Sequence, residues 1–230
     1  MPAIPLGDLI REQLTLIGAR APRKLPHYLN STANFLDTGR FFRDLGLELP
    51  ERSPGRFDVL HAGARALTGR DPLYLEFGVW QGESLAFMAK EVTAPGAHFV
   101  GFDSFEGLPE DWTVTAHQGH FDTGGAVPDI DDPRVTFEAG WFEDTVPGFA
   151  LPPHGQLFVN VDSDLYSSAK TVLDAMAGHL SVGDLIYFDE FQDRLNEGRA
   201  FREHLEQTGY VYEVLAVTKT LSQILFRRTR

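Results

Sequence analysis

Leu157-Phe158-Val159-Asn160-Val161-Asp162-Ser163-Asp164 and, one helix length further on, Leu185-Ile186-Tyr187-Phe188-Asp189-Glu190-Phe191 decide how this chain folds. Each stretch runs from apolar, partly β-branched residues into acids. A short continuous apolar run fits a strand buried on both faces of a parallel sheet, and the acids then mark its carboxyl end. Between the two runs, Ser167–Leu180 sets Ala169, Val172, Leu173, Met176 and Leu180 on one helical face, as a crossover packed on a sheet requires. Neighbouring parallel strands joined this way bring Asp162, Asp164, Asp189 and Glu190 to the same rim. Carboxylates so crowded repel, and some hold a proton, unless a cation or a catalytic task keeps them there. A catalytic metal site on an α/β sheet is the first expectation.

The flanking sequence continues the alternation. Leu73–Phe77, Ala97–Phe102 and Arg134–Glu138 read as strands and Glu83–Val92 as a helix. Glu197–Thr208 reads as a further helix, and Tyr210–Val217 and Ser222–Phe226 as an antiparallel pair at an edge. The pattern predicts a doubly wound, Rossmann-like α/β fold, mostly parallel, with an antiparallel carboxyl-terminal strand. Residues 7–20 read as an amphipathic helix and residues 55–69 as another. Residues 20–54, with their prolines, glycines and the aromatics Tyr28, Phe35, Phe41 and Phe42, read as an irregular lid or oligomer contact. The expected division is therefore an amino-terminal helical and lid extension over 1–69 and the sheet domain over 70–230. Residues 108–133 fit no element. A loop this long in a compact domain is usually functional or disordered, and its position after the second strand sets it over the ligand crevice.

Bulk properties narrow the function. The 230 residues, 43% hydrophobic and 23% charged, suit one α/β domain with a full core. The 33 acidic against 20 basic side chains give a net charge of −13, which disfavours nucleic acid and acidic membranes as partners. Zero cysteines exclude disulfides, thiolate metal sites and cysteine nucleophiles. No basic stretch followed by an apolar one opens the sequence, and no apolar run reaches spanning length, so a cytoplasmic protein is expected. The aromatic-rich amino-terminal arm fits a homodimer contact.

After Leu73–Phe77 comes Gly78-Val79-Trp80-Gln81-Gly82-Glu83-Ser84 and then a helix. Glycines there allow a tight turn and close approach to a ligand, beside the free N–H groups of a helix start. The spacing is not the dinucleotide fingerprint Gly-x-Gly-x-x-Gly, which disfavours an NAD-dependent oxidoreductase. Asp103 ends the second strand, where a carboxylate commonly accepts ribose hydroxyls. Either NAD or S-adenosylmethionine fits that position, and so does an aspartate that merely caps the next turn.

With Glu76-Phe77-Gly78-Val79-Trp80-Gln81-Gly82-Glu83-Ser84 stand, in order, Asp103-Ser104-Phe105-Glu106-Gly107-Leu108-Pro109, Gly140-Trp141-Phe142-Glu143-Asp144-Thr145-Val146-Pro147, Asp162-Ser163-Asp164-Leu165-Tyr166-Ser167-Ser168 and Asp189-Glu190. This ordered set, across roughly residues 70–217, resembles the macrocin O-methyltransferase family, which includes mycinamicin and novobiocin tailoring enzymes. The resemblance implies a class I S-adenosylmethionine-dependent methyltransferase acting on a hydroxyl of a small molecule or glycosyl unit. It implies that Glu76 and Phe77 are cofactor-binding, that the turn with Gly78, Val79, Gly82 and Ser84 holds the methionine part of the cofactor, and that Asp103 holds the ribose. Ser104 lies beside them, Trp141 and Phe142 flank the adenine, and Asp162 borders the cofactor. Magnesium is implied on Asp162, Asp189 and Glu190, with Asp164 as general base. The family has Asp-Asp where this chain has Asp189-Glu190, and glutamate is one methylene longer. A non-catalytic cofactor-binding regulatory or assembly protein of the same fold is the alternative.

Other residues carry weaker signals. Tyr166 fits either an acceptor pocket or a buried tyrosine with its hydroxyl satisfied. His117, His120 and His154 read as surface histidines. Asp193, Glu197 and Arg199 read as a solvated helix start, or as groups that gate the acceptor.

Overall fold

A computed structural model describes residues 6–22, 24–113 and 115–230. Its strands are β1 (Arg52–Ser53), β2 (Leu73–Phe77), β3 (His98–Asp103), β4 (Val135–Ala139), β5 (Leu157–Val161), β6 (Leu185–Phe188), β7 (Tyr212–Thr218) and β8 (Ile224–Arg228). The helices are α1 (Leu6–Gly18), α2 (Leu25–Asp44), α3 (Arg56–Ala66), α4 (Glu83–Glu91), α5 (Phe142–Thr145), α6 (Tyr166–Met176) and α7 (Glu197–Thr208). The strands form one eight-stranded sheet in the order β1-β7-β8-β6-β5-β2-β3-β4. All neighbours are parallel except at β8, which runs against both β6 and β7.

Side chains alternate across the sheet, so one strand feeds two apolar layers. Leu73, Leu75 and Phe77 of β2 pack with Val172 and Leu173 of α6 and Phe201 of α7. Tyr74 packs on the opposite face, with Val59 and Leu60 of α3 and Leu85 and Met88 of α4. Burial on both faces is why β2, β5 and β6 read as apolar runs, broken only by Glu76 and Asn160, which are hydrogen-bonded to each other. From β2 the chain passes to β3 and β4 on one side and then to β5 and β6 on the other. That reversal is the topological switch point, where ligands bind beyond the carboxyl ends of the strands.

The doubly wound architecture is as expected, with three differences. Residues 20–54 are not irregular: α2 occupies most of them. Proline lies in the first turn of this helix, where it disturbs no helical hydrogen bond. At the other end Phe41 and Phe42 are buried, with ring centroids 5.7 and 5.9 Å from that of Phe191. Secondly, the closing antiparallel pair is not the edge. β1 lies outside β7, and a two-residue strand carries no periodicity to read. Thirdly, α6 stops at Met176, although Leu180 is still buried. Helix α1 forms as expected but buries none of its residues. Among the described residues no helix is long and apolar enough to cross a membrane. Residues 104–134 contain no helix or strand among those described, yet Leu108 and Ala116 of this loop pack with Leu165 and Trp112 into a small core.

Candidate active site

The turn after β2 is pressed against the end of β5. Gly78 has φ 98°, and a Cβ there would lie 1.7 Å from the carbonyl oxygen of Asp162, so glycine is the residue that fits. Asp162 N–H in turn donates to Phe77 O at 2.9 Å. Asp103, from the end of β3, fixes the other side of the turn. Its Oδ2 accepts the Val79 and Trp80 amides, each at 2.8 Å, and its Oδ1 the Phe105 amide at 2.8 Å. It is thus a capping residue that also lines the cleft.

Glu76 is fully buried behind this turn. Its carboxylate accepts hydrogen bonds from Tyr74 Oη (2.6 Å), Ser84 Oγ (2.8 Å) and Asn160 Nδ2 (3.0 Å). Burial outweighs those hydrogen bonds and lifts its pKa to about 7.

The two acidic strand ends meet as expected. Val161 pairs with Phe188 in the parallel register, which puts Asp162 beside Asp189. Burial first, then the charges of Asp189 and Asp164, raise Asp162 well above the ordinary carboxylate range. Asp164 adopts φ 61°, and burial with the nearby Glu190 and Asp189 charges lifts its pKa to about 7. No hydrogen bond to its carboxylate is formed among the described residues. Asp189 Oδ1 accepts the Tyr187 hydroxyl at 2.6 Å, and Glu190 Oε2 accepts the Gln192 side-chain amide at 2.7 Å. Burial raises Glu190 as well.

Both halves open into one cleft of about 260 Å³. Of the residues singled out from the sequence, Gly78, Val79, Ser84, Asp103, Ser104, Trp141, Phe142, Asp162, Asp164, Asp189 and Glu190 line it. Glu76, Phe77 and Gly82 do not. Phe77 stacks on Phe102 at 4.6 Å in the core, and Gly82 abuts Pro128 and Ile130 of the long loop. Leu108, Pro109, Trp112 and Phe121 bring that loop to the cleft wall. Tyr166 is not part of the lining; its hydroxyl donates to Glu203 at 2.8 Å.

Two residues that the sequence pattern does not single out correctly matter here. Glu197 is not solvated but fully buried. Its Oε1 accepts the amides of Ser163 (3.2 Å) and Asp164 (3.3 Å), and its Oε2 the amide of Glu190 (2.9 Å). One carboxylate therefore ties together the loops after β5 and β6. Arg56, the first residue of α3, is the one basic side chain lining the cleft among the described residues, against seven carboxylates. Burial alone would lower its pKa, but Asp189 and Asp162 outweigh that and raise it.

A profile of the macrocin-O-methyltransferase (TylF) family matches residues 68–221. The 8-demethyl-8-(2,3-dimethoxy-alpha-L-rhamnosyl)-tetracenomycin-C 4'-O-methyltransferase of Streptomyces olivaceus is 33% identical over 142 residues, which cover 51% of this chain and 52% of that protein. The chain spans about half the length of this curated relative. Among solved structures, the O-methyltransferase NovP superposes with a TM-score of 0.60 at 23% identity, over 76% of this chain and 80% of that one. CalS11, a calicheamicin methyltransferase, gives 0.57 at 23% identity over 99% and 94% of the two chains. These two superpositions bear on the fold, which is that of the class I methyltransferases. The profile match spans the glycine turn, Asp103 and both acidic strand ends, and the chain belongs to the macrocin-O-methyltransferase family.

Proposed function

We propose that this protein is an S-adenosylmethionine-dependent O-methyltransferase whose acceptor is a hydroxyl of a small molecule or glycosyl unit, with the sugar of a glycosylated natural product as the favoured class. The observation that carries the reading is the convergence of the Gly78 turn, Asp103 and the Asp162, Asp164 and Asp189 carboxylates on one cleft at the switch point. The curated relative acts on a rhamnosyl unit, which favours a sugar hydroxyl.

The cofactor suits this lining. The missing Cβ of Gly78 lets the turn close on Asp162, and Gly78 itself lines the cleft where the methionine part would rest. A carboxylate offers about four acceptor sites, so Asp103 retains room for a ribose hydroxyl beside its three amides. Trp141 and Phe142 offer flat apolar surface for an adenine. Ser163 Oγ and Trp112 Nε1 are buried without partners, and both residues line the cleft. A ligand there would satisfy them. The acidic wall favours a positively charged sulfonium.

Magnesium fits part of the expected set. The ion is commonly held by one or two carboxylates with water and substrate oxygens, which the paired Asp162 and Asp189 match. Glu190 fits less well, since Gln192 holds its carboxylate. No cluster of three His, Cys, Asp or Glu suited to a metal occurs among the described residues.

When bound, S-adenosylmethionine supplies a methyl group on a positively charged sulfur, and magnesium a positive charge that lowers the pKa of the acceptor hydroxyl. Asp164 would accept the proton of the acceptor hydroxyl on its unpartnered carboxylate, the methyl group passing from sulfur to that oxygen with the carbon–sulfur electron pair left on sulfur. The Gly78 turn and Asp103 would hold the donor, and the 108–133 loop would exclude water.

Calorimetric titration with S-adenosylhomocysteine, followed by methyl-transfer assays on glycosylated acceptors with EDTA and with magnesium restored, tests the reading. Micromolar binding and methylation on oxygen are expected, with loss under EDTA. Absence of cofactor binding would overturn the activity, and full activity under EDTA would remove only the metal.

A further inference from the structure

Arg56 lies outside the residues matched to the family profile, in the stretch between β1 and β2. Its position is nevertheless well defined. Helix α3 begins where Asp58 Oδ2 accepts the Gly55 amide at 3.0 Å, and Phe57 then packs on Phe87 of α4 with centroids 4.9 Å apart. These contacts set Arg56 beside the start of α4, on the side of the cleft formed by the Gly78–Ser84 turn. Its guanidinium carbon sits 5.0 Å over the Phe57 ring, and the side chain is 33% exposed.

The charges of Asp189 and Asp162 act on this cation, yet its N–H groups have no bonded partner among the described residues. The nearest carboxylate, Glu83, is 3.9 Å from Nη2, beyond hydrogen-bond range. The guanidinium donates no hydrogen bond among the described residues, although it carries five N–H groups. It is also the one basic side chain lining a cleft that has seven carboxylates among the described residues. An anionic group of a ligand entering this cleft therefore finds favourable charge at one point. S-adenosylmethionine carries such a group, the α-carboxylate of its methionine part. A planar guanidinium matches a carboxylate with two parallel hydrogen bonds.

We propose that Arg56 binds the α-carboxylate of the cofactor, so that the segment before β2 completes the cofactor site. This inference rests on the methyltransferase reading. It also gives the half-buried arginine a function that neutralising the acidic wall alone would not require: recognition of the amino-acid end of the ligand.

The test compares two probes that share adenosine and sulfur. S-adenosylhomocysteine carries the α-carboxylate, and 5'-methylthioadenosine lacks the whole amino-acid end. Titrated by calorimetry into the full chain, Arg56→Gln is expected to weaken S-adenosylhomocysteine by about tenfold or more and to leave methylthioadenosine within about twofold. Arg56→Lys, which keeps the charge without the planar fork, is expected to fall between wild type and Arg56→Gln, and it covers the case in which the glutamine variant folds poorly. Equal losses for both probes, or no loss for either, would overturn the inference. Failure of the wild type to bind S-adenosylhomocysteine would instead overturn the methyltransferase reading beneath it.

Discussion

Asp164 sits in the left-handed backbone region, which costs a residue other than glycine about 1 kcal/mol or more. The carboxylate it presents is partly buried, has no partner among the described residues, and holds its proton with a pKa of about 7. A base poised near neutrality is suited to removing a proton from an alcohol in the transition state. Asp164→Asn should therefore lower kcat by about 10²- to 10⁴-fold while the dissociation constant for S-adenosylhomocysteine stays within about twofold. Single-turnover kinetics beside calorimetry check this, and near-normal kcat would remove Asp164 from the role. Asp162, Asp164 and Asp189 were legible because each ends or follows an apolar run whose length and β-branching mark a strand. Asp103 was legible only in part. The three amide contacts show the capping, while ribose binding, the other reading, stays a proposal that its place in the cleft lining supports. Arg56 and Glu197 were not legible: acids and arginines are ordinary at helix starts, and nothing local distinguishes a buried one from a solvated one.

Among the elements, α7 does the most to shape the acidic rim. Its first residue, Glu197, accepts two amides on one oxygen and a third on the other. Glutamine keeps the size but offers one acceptor oxygen, so its NH₂ would face an amide N–H and one of the two loops would lose its anchor. Glu197→Gln should lower kcat by about tenfold or more with cofactor affinity within about twofold of wild type, because the Gly78–Asp103 half is untouched. If kcat holds while only thermal stability falls, Glu197 is a core residue and nothing more. The elements themselves were largely visible in the sequence, since sheet burial imposes long apolar runs. Helix α2 was missed because Pro26 and Gly39 read as breakers, although a proline in the first turn is compatible with a helix. Its adjacent Phe41 and Phe42 reveal their role only when Phe191 and Phe201 arrive from far along the chain.

At the scale of the whole molecule, the buried carboxylates in and behind the cleft set how stability responds to pH. The folded-state pKa of Glu76 is raised to about 7, above its ordinary value of 4.5, so the native state holds this proton more tightly than the unfolded chain does. That stabilisation is complete below about 4.5 and is lost as pH rises through about 7; a tenfold difference in proton affinity between the two states corresponds to about 1.4 kcal/mol. Burial raises Asp162, Asp164, Glu190 and Glu197 in the same direction. In the absence of cofactor and metal, the urea midpoint should fall between pH 5 and pH 8, to judge from the roughly 4.5 to 7 span of the Glu76 titration. Glu76→Gln should show a shallower fall, and an unchanged slope would mean that this carboxyl is already ionised in the folded protein. The seam at Gly78 has a different kind of consequence. Because the Gly78 turn leans directly on the carbonyl of Asp162, the proposed donor and acceptor halves cannot be re-engineered independently there. Directed evolution toward a new hydroxyl should therefore leave positions 78 and 162 unchanged and accumulate its substitutions in the 108–133 loop, away from Pro128 and Ile130, which abut Gly82.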